Sequence, residues 1–151
     1  MPDFVAGEIV TANKMNQIPK GVLGYAARTS DQTGISGLVA IGGLSVTVNV
    51  AANRRIKVTA YVRGTTSTVA TDRGVLFIRQ DASQVQNQVK QFGGTQLEDG
   101  LMAVWIGTPS AGSHTYDVQY QRIGTGTHTV HAAADGPAYI LVEDIGADPN
   151  G

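Results

Sequence analysis

The most constraining part of this 151-residue chain is its last third, residues 97–146, where four apolar segments are separated by glycine-rich turns. Two of these segments are apolar on both faces. In an extended strand successive side chains point to opposite sides. Ala103 and Trp105 therefore share one side of their strand, while Met102, Val104 and Ile106 share the other. Tyr139 and Leu141 alternate in the same way against Ile140 and Val142, and residues 75–78 also offer apolar groups on two faces. An antiparallel sandwich ordinarily keeps one wet face per sheet, which gives apolar–polar alternation. Strands that are apolar on both sides need a second cover, and another copy of the same chain supplies it most simply. The expectation is an assembling subunit, with Leu101, Ala103, Trp105, Tyr116, Tyr120, Tyr139 and Leu141 in its core or at its subunit contacts.

Composition excludes several other classes. Charged residues make up 15% of the chain and the net charge is −1, with no cluster of Lys and Arg. A nucleic-acid binder needs such a cluster to contact phosphates, so no nucleic-acid partner is expected. The adjacent Arg54 and Arg55 lie in a turn-like stretch and read as a solvated corner. Cysteine is absent, which removes disulfides and thiolate chemistry. The first residues lack the basic and apolar regions of an export signal, and no apolar run reaches membrane-spanning length. The expectation is a protein made and kept in the cytosol, or released by lysis, with no membrane insertion.

Residues 1–20 differ in character from the rest. Thr11 suits the N-cap of a short helix over residues 12–17, Val10 and Met15 sit where a hydrophobic staple would fix the entry, and Pro19 ends it. Phe4, Ile9, Val10, Met15 and Ile18 give this arm more apolar surface than a short segment can leave in water. The arm either packs on its own domain or reaches a neighbouring subunit or mounting surface. Two units follow: an N-terminal attachment arm, 1–20, and a β-sandwich head, 21–151.

Within the head, every signal is strand or turn. Residues 22–27 form a short strand, residues 29–43 read as a long ordered loop, and Val46, Val48 and Val50 begin a regular alternation. Ile56, Val58, Ala60 and Val62 continue it after a turn, which predicts a hairpin of these two strands. Residues 75–80 form another strand, and residues 84–92 a polar, exposed one. A second hairpin, closed on Gly124-Thr125-Gly126, would set Tyr120 opposite Val130 and Arg122 opposite His128. Tyr116, Val118 and Tyr120 would then share a face with Val130 and Ala132. Strands spaced roughly 8–12 residues apart indicate an all-β fold, an antiparallel sandwich or jelly roll.

Chemistry-bearing motifs are sparse. His128 and His131 fall on opposite faces of one strand and His114 lies far from His128, so no metal site is expected. Ser113 and His114 point to opposite sides of a strand, and no nucleophile elbow surrounds them. Glu98 with Asp99, and Glu143 with Asp144, are neighbours that diverge rather than share a cleft. The Gly-Thr-Gly and Gly-Gly runs lack the following helix and the lysine of a phosphate loop. No catalytic residue, cofactor or metal follows. The polar stretches 65–68, 108–112 and 125–126 read as loop tips, a place where a host-surface glycan could bind. Trp105 could serve as a sugar platform, yet it sits in the most apolar strand and reads as core or contact.

Several stretches read together resemble a known group. Residues 4–16 (FVAGEIVTANKMN) resemble the G-E-x-V/L-T-A-x-x-x-N opening of small virion proteins of tailed bacteriophages, notably those infecting actinobacteria. Residues 52–58 (ANRRIKV), 109–116 (PSAGSHTY) and 141–146 (LVEDIG) resemble later segments of the same group. Members are minor tail proteins or virion structural proteins, and none offers catalytic residues to carry over. The resemblance implies a non-enzymatic homotrimer, a sandwich broadly like tumour-necrosis-factor or C1q heads, mounted on the tail by its arm. A capsid decoration protein is the alternative within the group. In either case the partners are further copies of the chain and other virion proteins, either of the tail or the major capsid protein.

Overall fold

The computed structural model describes residues 15, 17–94 and 99–149. Among these residues ten strands form two antiparallel sheets. They are β1 (Gly21–Arg28), β2 (Gln32–Ile35), β3 (Leu38–Val50), β4 (Arg54–Ser67), β5 (Arg73–Gln80), β6 (Ser83–Gln91), β7 (Asp99–Gly107), β8 (Gly112–Ile123), β9 (His128–His131) and β10 (Ala138–Ala147). One sheet runs β1-β10-β4-β9-β2, with β7 also paired to β4; the other runs β3-β8-β5-β6. The result is an antiparallel β-sandwich of jelly-roll type.

The core is made by the alternation itself. Ile56, Val58, Ala60 and Val62 of β4 are fully buried, and β10 and β7 flank this strand on either side over residues 56–61. Ile140 and Val142 of β10, Leu76 and Ile78 of β5, and Tyr116, Val118 and Tyr120 of β8 complete the interior. Leu101 and Ala103 of β7 join them, and Trp105 packs half-buried against the same core. The Trp105 ring lies 6.0 Å from that of Tyr116, centroid to centroid. Replacing Trp105 with alanine is expected to cost about 3 kcal/mol, the low end for a large aromatic, since the indole is only half-buried. Urea unfolding measures this, and an unchanged midpoint would deny the indole a structural role.

Both expected hairpins are replaced by crossings between sheets. β3 pairs with β8, not with β4, and β9 pairs with β4 and β2, not with β8. Alternation identifies a buried face but says nothing of the partner, and in a sandwich the two inner faces carry the same pattern. Tyr116, Val118 and Tyr120 do share the interior with Val130 and Ala132, but across the sandwich rather than along a hairpin. The stretch 29–43 also departs from the expected loop, because it contains β2 and the start of β3. A register shift between Ala40 and Ser45 breaks the period there, although Ile35, Ile41 and Leu44 are all buried.

Residues 65–68 are not a loop tip. Thr65 and Ser67 are buried within β4, which outruns β10 and is paired there by β9. Arg54 is not a solvated corner either; it is buried against Asp144. Of the expected N-terminal helix, Met15 and Gln17 have helical backbone, and Met15 and Ile18 are exposed. Phe4, Ile9 and Val10 lie outside the described residues, as does Glu98.

Candidate functional site

Among the described residues, the outward side of β1, β10, β4 and β7 carries a broad, largely apolar array. The strand registers order it in three rows. Ala27, Tyr139, Tyr61 and Met102 form the first, and Tyr25, Leu141, Thr59 and Val104 the second. Val22, Glu143, Lys57 and Ile106 form the third. Val22 is 61% exposed, Tyr25 and Met102 56% and Ile106 51%, while Tyr61, Tyr139, Leu141 and Val104 are half-buried by their neighbours. Tyr139 lies between the other two tyrosines, its ring centroid 5.9 Å from Tyr25 and 5.4 Å from Tyr61. Lys57 and Glu143 are the charges in this array, and they pair with each other at 3.4 Å.

Three rows about 6.8 Å apart on four strands about 4.8 Å apart present roughly 400 Å² of sheet. That is the size of the largest apolar patch on typical monomers, about 300–600 Å², and such patches are often functional. The suggested contact residues therefore divide. Leu101, Ala103, Tyr116 and Tyr120 are interior, Trp105 packs half-buried on the interior, and Tyr139 and Leu141 belong to the outer face.

Each histidine is paired with an aspartate distant in sequence, and sequence reasoning missed all three pairs. His128 is fully buried rather than paired across a sheet edge with Arg122, whose strand partner is Gly74. Its Nδ1 accepts the Tyr120 hydroxyl at 2.9 Å and its Nε2–H donates to Asp72 at 3.1 Å. Asp72 also accepts the Gly126 N–H at 2.7 Å and the Thr125 N–H at 3.2 Å. Gly124 has φ +133, and a Cβ there would sit 2.0 Å from the Asp72 carboxylate, so only glycine fits the turn. The Gly-Thr-Gly run is thus a cradle for an internal carboxylate. Burial alone would push Asp72 up, but the Gly126, His128 and Thr125 hydrogen bonds outweigh it and hold the carboxyl below its usual range. Burial pushes His128 down, against the pull of Asp72, so its ring stays neutral. With Tyr120, His128 and Asp72 all sealed from solvent, this chain of hydrogen bonds ties loops together and offers no group to a substrate.

His114 has the opposite character. Its Nδ1–H donates to Asp81 at 2.6 Å and its Nε2–H to the Ser110 carbonyl at 2.8 Å, an arrangement that needs both protons. The Asp81 hydrogen bond, then that to Ser110, raises its pKa above 6.5. The His114 bond in turn holds Asp81 below the usual carboxylate range. The stabilisation from His114 is therefore complete below pH 6.5 and is lost as pH rises through the folded-state value. His128, shifted the other way, costs nothing well above pH 6.5 and costs stability as pH falls below it. The thermal midpoint difference between wild type and His114→Gln should be larger near pH 6 than near pH 8.5, well above the usual histidine range. Equal differences at the two pH values would contradict the charged pairing. Among the described residues no three His, Asp or Glu side chains gather as metal ligands.

No family model matches the sequence, and no curated protein matches it. Among solved structures, the fold is similar to part of dimeric latent PorU from Porphyromonas gingivalis, with a TM-score of 0.54 at 6% identity. That match covers 86% of this chain but only 13% of the other, so this chain spans a small part of that protein's length. Eiger TNF from S. frugiperda gives a TM-score of 0.41 at 12% identity over 83% of this chain and 94% of that one. These likenesses concern the fold alone.

Proposed function

We propose that this chain is a non-enzymatic structural subunit of a bacteriophage particle. It forms a homotrimeric β-sandwich head on the tail, at or near the tip, attached through residues 1–20. The observation that carries the reading is the apolar face of β1, β10, β4 and β7, which no other described residue covers. It is centred on three tyrosines and bears one internally neutralised ion pair. Apolar patches of this size are often functional, and closed symmetry would cover this one without forming open fibres. The virion setting is supported by the sequence resemblance of residues 4–16, 52–58, 109–116 and 141–146, and the number three by the same resemblance. On this account the subunit is made in the host cytosol and leaves by lysis.

Reconstruction of whole particles tests the location. Density for a few trimers at the tail is expected. Hundreds of copies over the capsid would replace the tail with a decoration role, and absence from purified particles would overturn the reading. Deleting residues 1–20 is expected to leave a folded head that no longer joins the particle; normal incorporation would refute the mounting role.

A further inference from the structure

Arg54 opens β4 and Asp144 lies near the end of β10, and both turn into the sandwich, 4% and 3% exposed. Arg54 Nε donates to Asp144 Oδ2 at 2.8 Å and Nη2 donates to Oδ1. The same Nη2 donates to the carbonyl of Ile18 at 2.7 Å. Asp144 also accepts the N–H of Gly146 at 2.9 Å and that of Lys20. Gly146 has φ +119, and a Cβ there would lie 3.2 Å from the Gln17 carbonyl and 3.8 Å from Pro19. The N-terminal segment therefore rests on the bare backbone of β10 and is bonded to both members of a buried ion pair.

Two apolar side chains could fill the same space without the cost of desolvating two charges. They could not bind the main chain of residues 18 and 20. We infer that Arg54 and Asp144 are orienting residues, which fix the direction in which the N-terminal segment leaves the head. This rests on the mounting role proposed above only for its purpose, a head held at a set angle on the particle; the geometry stands without it.

The absence of cysteine allows a single nitroxide to be placed at Gln17→Cys in the full chain, at an exposed position. The wild-type head should give an immobilised spectrum. Arg54→Met/Asp144→Leu should shorten the label's rotational correlation time several-fold while the head keeps most of its unfolding midpoint. A label equally immobile in that variant overturns the inference. Arg54→Lys is the second arm of the test. Its single ammonium keeps the charge but cannot make two parallel bonds to the carboxylate and also reach Ile18, so the label should again be freed. If neither variant folds, the pair serves the head rather than the segment, and the inference fails. Particle incorporation is scored separately, so a failure of the mounting role leaves the spectroscopic result intact.

Discussion

Leu141→Glu is expected to leave a folded head that no longer assembles. Leu141 lies in the middle row of the outer face, between Tyr25 of β1 and Thr59 of β4, and is half-buried in the single chain. A carboxylate there still reaches water in an isolated head, so folding should be little affected. Covering the face with another copy would strip that carboxylate of solvent among tyrosine, valine and methionine side chains. The effective penalty for burying an unpaired ion is several kcal/mol, and each 1.4 kcal/mol is a factor of ten in association. A loss of roughly a thousand-fold or more in assembly is thus expected, because the substitution recurs in every subunit. Sedimentation velocity reads the size and circular dichroism the fold. A Leu141→Glu protein that assembles as tightly as wild type would remove this face from the contact.

Asp144→Ala should be the most damaging single substitution inside the head. It leaves the Arg54 guanidinium buried with its main counter-charge gone, and orphans the N–H groups of Gly146 and Lys20. Breaking a buried pair in this way costs about 3–5 kcal/mol. That is a large part of the 5–15 kcal/mol or so that holds a typical domain together. Denaturant unfolding should show the drop, and Arg54→Met/Asp144→Leu should recover most of it. A single variant as stable as wild type would mean that the pair is not sealed from water.

The strands are legible in the sequence where alternation is regular. Ile56 through Val62 and Tyr116 through Tyr120 announce their buried faces directly, and the two-sided character of residues 101–106 and 139–142 points to a surface needing a second cover. Partners are not legible. The crossing from Val50 into β4 looks like a hairpin turn because both strands it joins carry the same inward pattern, yet they lie in different sheets. Which side of β10 faces the interior also depends on partners: Ile140 and Val142 are buried, while Tyr139 and Leu141 face outward. Arg54 reads as a surface residue because the carboxylate that neutralises it is 90 positions away. The same holds for the histidines, whose aspartates lie 33, 56 and 100 positions away, separations that no local pattern encodes. The Gly124-Thr125-Gly126 run does carry a usable signal. Closely spaced glycines in a turn mark a close approach by another group, here the Asp72 carboxylate.

Static light scattering on the purified wild-type chain at micromolar concentration addresses self-association most directly. The account predicts a homogeneous closed oligomer with the mass of a trimer. A dimer would contradict the threefold arrangement while leaving the apolar face as the contact. A clean monomer at the same concentration would contradict the central claim, because the face of Tyr25, Tyr61, Tyr139 and Leu141 would then remain in water.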